Sequence, residues 1–61
     1  MKVWYDKVEA DKSIIARCHI QMNGKYWIMY KRVLHGNNKE ELDNDYSIFQ
    51  NTSQNIIKRM N

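Results

Sequence analysis

A single cysteine, Cys18, and only two histidines, His19 and His35, exclude two of the usual supports for a chain of 61 residues. One thiol cannot close an internal disulfide, and these three side chains are too few for a structural zinc site. No stretch approaches the roughly 20 apolar residues of a membrane span, and the N-terminus lacks the apolar run of a signal peptide. The expectation is a protein of a reducing cytoplasm. No glycine-rich phosphate loop and no Ser/His/Asp set is present, and Cys18 and His19, being adjacent in a predicted strand, point to opposite faces. Cys18 reads as a buried, inert thiol and His19 as a partly exposed surface residue. The chain is therefore read as a non-enzyme, without a metal or cofactor.

What is present fits one domain, residues 1–61. A core of this size seldom supplies more than about 3–5 kcal/mol. With disulfide and metal excluded, association of subunits is the remaining support. The net charge of +3 is unevenly spread: residues 1–38 hold seven Lys/Arg against three Asp/Glu, whereas the stretch Lys39 to Asp45 sets Glu40, Glu41, Asp43 and Asp45 against one lysine. Such a run is either a solvated loop or a set of carboxylates offered to a basic partner.

Ser13 to Met22 alternates, with Ile14, Ala16, Cys18, Ile20 and Met22 on one face and Arg17, His19 and Gln21 on the other. A period of two is the mark of a half-buried strand. Asn23-Gly24 then predicts a two-residue type I′ hairpin, because both central positions need positive φ. That loop sets Met22 opposite Lys25, Ile20 opposite Trp27 and Cys18 opposite Met29. Trp27, Met29 and Val33 join the apolar face, and Tyr26, Ile28 and Tyr30 point the other way. The second strand, Lys25 to about Leu34, is thus apolar on both sides, and one helix can cover only one of them. A second subunit or a ligand is the natural cover for the other, unless Tyr26 and Tyr30 simply face water; Tyr26 and Ile28 are the candidates for a dimer seam.

His35 to Asn44, rich in asparagine and charge, reads as a loop. Asp45 to Phe49 reads as a short third strand. Asn51 or Thr52 is expected to cap a helix reaching about Met60, with Gln54 in capping-box position and Ile56, Ile57 and Met60 as its apolar stripe. Lys58 and Arg59 suit its C-terminal dipole. Met1 to Lys12 is strand-prone at Val3, Trp4, Tyr5 and Val8, and either pairs with the sheet or forms an arm. The expected fold is α+β, a three-stranded antiparallel sheet with one C-terminal helix, as a homodimer.

The order and spacing of Asn23-Gly24-Lys25, Trp27, Tyr30, Asp45-Tyr46, Phe49 and Asn51-Thr52 with Ile56-Ile57-Lys58 resemble the small uracil-DNA glycosylase inhibitors of phi29-like Bacillus phages. The resemblance spans about forty residues. It implies a phage protein acting in the cytoplasm of the infected bacterial host, a homodimer that occupies the DNA-binding cleft of the host glycosylase. Such enzymes flip uracil out of the duplex while an apolar wedge enters the minor groove. The resemblance further implies that a pocket at the dimer captures this wedge, a leucine, with carboxylates standing in for phosphates. Tyr46 and Phe49 correspond to the family's pocket aromatics. Tyr30 is among the matching positions, and Glu40, Glu41, Asp43 and Asp45 are the carboxylates available for mimicry. A family carboxylate of the second strand falls on Met29, and the segment between Tyr30 and Asp45 is longer here.

The residues alone leave other readings open. Tyr46 and Phe49 also suit an ordinary core. A small basic nucleic-acid-binding β module would use Arg17, Lys25, Lys31 and Arg32 on phosphates and Tyr26 or Tyr30 under bases. The inhibitor reading expects no direct nucleic-acid contact and no membrane.

Overall fold

Alternation from Ser13 onward builds the centre of the sheet. In the computed structural model, which describes residues 1–60, the order is β1 (Lys2–Ala10), β2 (Ser13–Met22), β3 (Lys25–His35) and α1 (Lys39–Met60). The strands form one antiparallel sheet in the order β1-β2-β3. This is the expected α+β class. Ile14, Ala16, Cys18 and Ile20 are buried as the period of two requires, while Met22, beside the turn, is exposed. Asn23 and Gly24 take φ of 54° and 78°, the pair of positive values the hairpin demands. A Cβ at Gly24 would meet nothing, so backbone conformation alone favours glycine there.

The register is as expected for Met22 with Lys25 and Ile20 with Trp27, and then it shifts. His19 pairs with Ile28 but Cys18 pairs with Tyr30, leaving Met29 as an extra residue. The expected pairing of Cys18 with Met29 is therefore corrected by a bulge, which exchanges the two faces beyond it. Tyr30 turns under the helix instead of away from it. Val33, assigned to the apolar face, is left 50% exposed.

The third strand is β1, not Asp45–Phe49. β1 pairs with β2 over its whole length, from Lys2 opposite Gln21 to Ala10 opposite Ser13. Asp11 and Lys12 make the turn, with Lys12 at φ 60°. Asp45–Phe49 lies inside α1, and so does most of the stretch read as a loop. The physical reason is a cap at Asn38, thirteen residues upstream of Asn51. Asn38 Oδ1 accepts from the Glu41 amide at 2.9 Å, and the Glu41 carboxylate accepts from the Asn37 amide at 2.8 Å. Lys39 and Asp43 add a pair at the i,i+4 spacing, 2.7 Å apart. From there Leu42, Tyr46, Phe49, Ser53, Ile56 and Ile57 recur at helical spacing along one face. Asn51 and Thr52, the expected caps, lie in mid-helix.

Asn38→Ala should lower stability by about 1 kcal/mol, the usual cost of an N-cap. Urea midpoints of the two chains measure it. An unchanged midpoint would place the start of the folded helix elsewhere.

α1 lies across one face of the sheet. The core between them is Ile14, Ala16, Cys18, Leu34, Leu42 and Phe49, with Val3, Tyr5, Met29, Tyr30, Tyr46 and Ile57 packed around it. Gly36 sits where β3 turns toward α1; a Cβ there would come within 3.1 Å of the Leu42 side chain. Among the described residues, no layer covers the opposite face of the sheet.

Candidate functional site

Phe49 is the hub of the interface between helix and sheet. It is 2% exposed. Tyr30 lies parallel to it at 5.1 Å, Tyr46 parallel at 5.9 Å, and Tyr5 meets it edge-on at 6.3 Å. The bulge in β3 and the one-turn spacing of Tyr46 and Phe49 on α1 together make this cluster. The three aromatics singled out from sequence are thus brought together, with Phe49 as a core residue at their centre. Ser53, also buried, donates its hydroxyl to the Phe49 carbonyl at 2.9 Å. The Lys7 ammonium stands 4.6 Å from the centre of the Tyr46 ring. Burial raises the pKa of the Tyr46 and Tyr5 hydroxyls and of the Cys18 thiol, which is buried as expected and whose thiolate is disfavoured.

Beside this cluster, between β3 and α1, opens a cleft of about 370 Å³. Its lining is mixed, with Val33, Leu34, Ile48 and Phe49 as the apolar members and Arg32, His35, Asp45 and Thr52 as the polar ones. Ile48, 54% exposed, stands among these residues as an apolar side chain largely in water. Tyr46 does not line the cleft; it lies on the side of the helix toward Lys7 of β1.

The acidic cluster occupies the first two turns of α1, where the helix dipole favours negative charge. Its members are not equivalent. Glu41 is engaged with the Asn37 amide, and Asp43 is paired with Lys39, which holds its carboxyl below the usual range. Glu40 and Asp45 hold no ion pair among the described residues. Glu40 is exposed, and Asp45, half-buried, stands at the cleft.

On the uncovered face of the sheet lies a second cluster that the sequence did not reveal. His19, expected to be partly exposed, is only 4% exposed. The correction comes from its neighbours: the Trp4 and Tyr26 rings lie nearly parallel to the imidazole, with centroids at 5.2 and 5.5 Å. Nε2 is 2.9 Å from Asp6 Oδ1 and Nδ1 is 2.6 Å from the Tyr26 hydroxyl. With the proton on Nε2, His19 donates to Asp6 and accepts from Tyr26. Arg17 donates to both Asp6 oxygens, at 2.7 and 2.6 Å. Trp4 and Asp6 belong to the strand the sequence left unassigned. Pairing β1 with β2 is the step that would have found them.

The Arg17 guanidinium, and after it His19, hold the Asp6 carboxyl below its usual range. A depressed carboxylate contributes stability that is fully present above its unfolded pKa, about 3.9, and is lost as pH falls through the folded value. Asp6→Asn should therefore flatten the acid limb of the stability profile below about pH 4. Thermal melts across that range test it; an unchanged acid limb would show that Asp6 is not linked to folding.

The basic residues of the nucleic-acid reading are dispersed. Arg17, Lys31 and Tyr26 are on the uncovered face, Arg32 and Tyr30 are on the helix side, and Lys25 closes the hairpin. Among the described residues, no three His, Cys, Asp or Glu side chains gather as a metal site, and no helix is long and apolar enough to cross a membrane. No protein-family model matches this chain, and neither a curated protein nor a solved structure matches it.

Proposed function

We propose that this protein is a phage inhibitor of a host uracil-DNA glycosylase, acting as a homodimer that fills the enzyme's DNA-binding cleft. The observation that supports it most is the union, on one stretch of α1, of carboxylates with a cleft of mixed lining in which Leu34, Ile48 and Phe49 supply the apolar part. Asp45 is common to both features. The fold adds support, since the resembled family implies a three-stranded sheet with one helix. In this reading the enzyme's wedge leucine enters the cleft against Ile48 and Leu34, and Glu40 and Asp45 meet cations that otherwise hold phosphates. Tyr30, Tyr46 and Phe49 act mainly by holding α1 at the angle that keeps the cleft open.

Calorimetric titration into a uracil-DNA glycosylase without DNA tests the proposal. Two chains should bind per enzyme, and added DNA should compete. Heat evolved only when DNA is present would contradict it. Glu40→Gln with Asp45→Asn, which spares the Asn38 cap and the Lys39 pair, should slow association and weaken its salt dependence, because steering is long-range attraction. Stopped-flow association at two ionic strengths reads this effect. Identical rates would assign the steering to other groups. Sedimentation of the free protein should give about twice the 7.4 kDa chain mass, and a folded monomer at micromolar concentration would contradict the dimer.

A further inference from the structure

Strand pairing gathers three cations and one carboxylate on the uncovered face, with Lys2 two cross-strand rows away from Asp6, Arg17 and Lys31. Asp6 is spent on Arg17 and His19. Lys2 and Lys31 hold no ion pair among the described residues and stand at opposite corners of the patch. Between them lie the rings of Trp4, His19 and Tyr26, within 19° of parallel and with centroids 5.2 to 5.7 Å apart. β1 and β3 are two strand spacings, about 9.5 Å, apart, so a distance of 5.7 Å from Trp4 to Tyr26 means that these rings lean over β2. They cover His19 and leave an apolar surface in water, with Tyr26 52% and Ile28 48% exposed. We infer that this face is a platform for single-stranded DNA, on which the leaning rings stack with bases while Lys2 and Lys31 take phosphates. The inference goes beyond the inhibitor reading, which uses α1 and the cleft on the other side of the sheet.

Charge and shape choose the occupant. A second copy of the face would set like charge against like charge, whereas a polyanion meets its complement. A broad sheet face does not enter a duplex groove, which admits a helix or a two-stranded ribbon; it reaches bases where they are unpaired, and every base has a π-face for an aromatic ring. The Lys2 ammonium, 5.5 Å from the centre of the Trp4 ring, places a phosphate contact next to a stacking one. Asp6, His19 and the Tyr26 hydroxyl are engaged with one another, so stacking and charge carry the contact and no use is made of the 2′-hydroxyl that marks RNA. Of the cations first read as a nucleic-acid site, Lys25 and Arg32 lie outside this patch, and β1 supplies Lys2 and Trp4 in their place.

Trp27→Phe removes the second indole, so that emission reports Trp4 alone. Titration with oligothymidylate, without any glycosylase, should quench that emission, and a duplex of the same length should bind about tenfold more weakly or worse. The logarithm of the binding constant should fall with that of salt at a slope of about −1.4, the value for two phosphates on a single strand. Lys31→Gln should halve the slope, and Lys58→Gln, in the last turn of α1, should leave it unchanged. Tyr26→Leu should weaken binding about tenfold, as loss of one stacked base does. No quenching, equal affinity for duplex, or equal effects of Lys31→Gln and Lys58→Gln would overturn the platform, and tighter binding of oligouridylate would overturn its assignment to DNA. Absent quenching together with a dimer that Ile28→Lys converts to a monomer would give the face to a second copy. None of these results touches inhibition of the glycosylase, which is measured with the enzyme and depends on α1.

Discussion

Replacing Phe49 by alanine is expected to unfold the protein, with loss of inhibition as a consequence. Truncating a buried aromatic costs about 3–5 kcal/mol, and a core of this size supplies about the same in total. Phe49 is also the common partner of Tyr30, Tyr46 and Tyr5, so its removal leaves three rings without their shared contact. Circular dichroism should show loss of the helix at 25 °C, or a urea midpoint near zero. Tyr46→Ala, at a half-buried position beside β1, should cost less and leave a folded chain. A stable, folded Phe49→Ala variant without inhibition would instead show that Phe49 acts by direct contact in the cleft it lines, as the family resemblance implies.

Ile48→Ala should do the opposite, leaving the fold intact and removing binding. Its side chain is 54% exposed, so truncation should alter stability by no more than about 0.5 kcal/mol. In the proposed complex, where the enzyme's wedge enters the cleft, the same truncation removes a central apolar contact, and such anchors contribute about 2 kcal/mol or more. Affinity for the glycosylase should fall about tenfold or more. Melting temperature and affinity, measured on the same preparation, separate the two residues. Unchanged affinity would show that the enzyme does not use the cleft between β3 and α1.

The contrast between these two residues reflects what local pattern can and cannot reveal. Both strands of the hairpin were legible because alternation over Ser13–Met22 and the Asn23-Gly24 turn are local signals. The bulge at Met29 was not, since it arises where Tyr30 gains a place under α1, a contact between elements distant in sequence. The helix was found only at its C-terminal end. Tyr46, Ile48 and Phe49 suit a short strand when taken alone, and the Asn51 cap signal is as good locally as the one at Asn38. What decides between them is the full stripe from Leu42 to Ile57, which is visible only once the charged stretch is admitted to the helix. At the candidate site, the resemblance singled out Tyr30, Tyr46 and Phe49 and the charge pattern grouped the four carboxylates, while alternation alone turned Tyr30 to the wrong face. Sequence could not rank them, because ranking depends on burial and on partners such as Lys39. His19 was misjudged for the same reason: Trp4, Asp6 and Tyr26, which enclose it, come from two other strands.

The most direct measurement is uracil excision from DNA by a uracil-DNA glycosylase, followed at fixed enzyme while this protein is titrated in the presence of a large excess of uracil-free DNA. An inhibitor that occupies the enzyme should abolish excision at about two chains per enzyme, and the end point should not move when the excess DNA is doubled. An end point that rises in proportion to the DNA, or no inhibition at any ratio, would contradict the account.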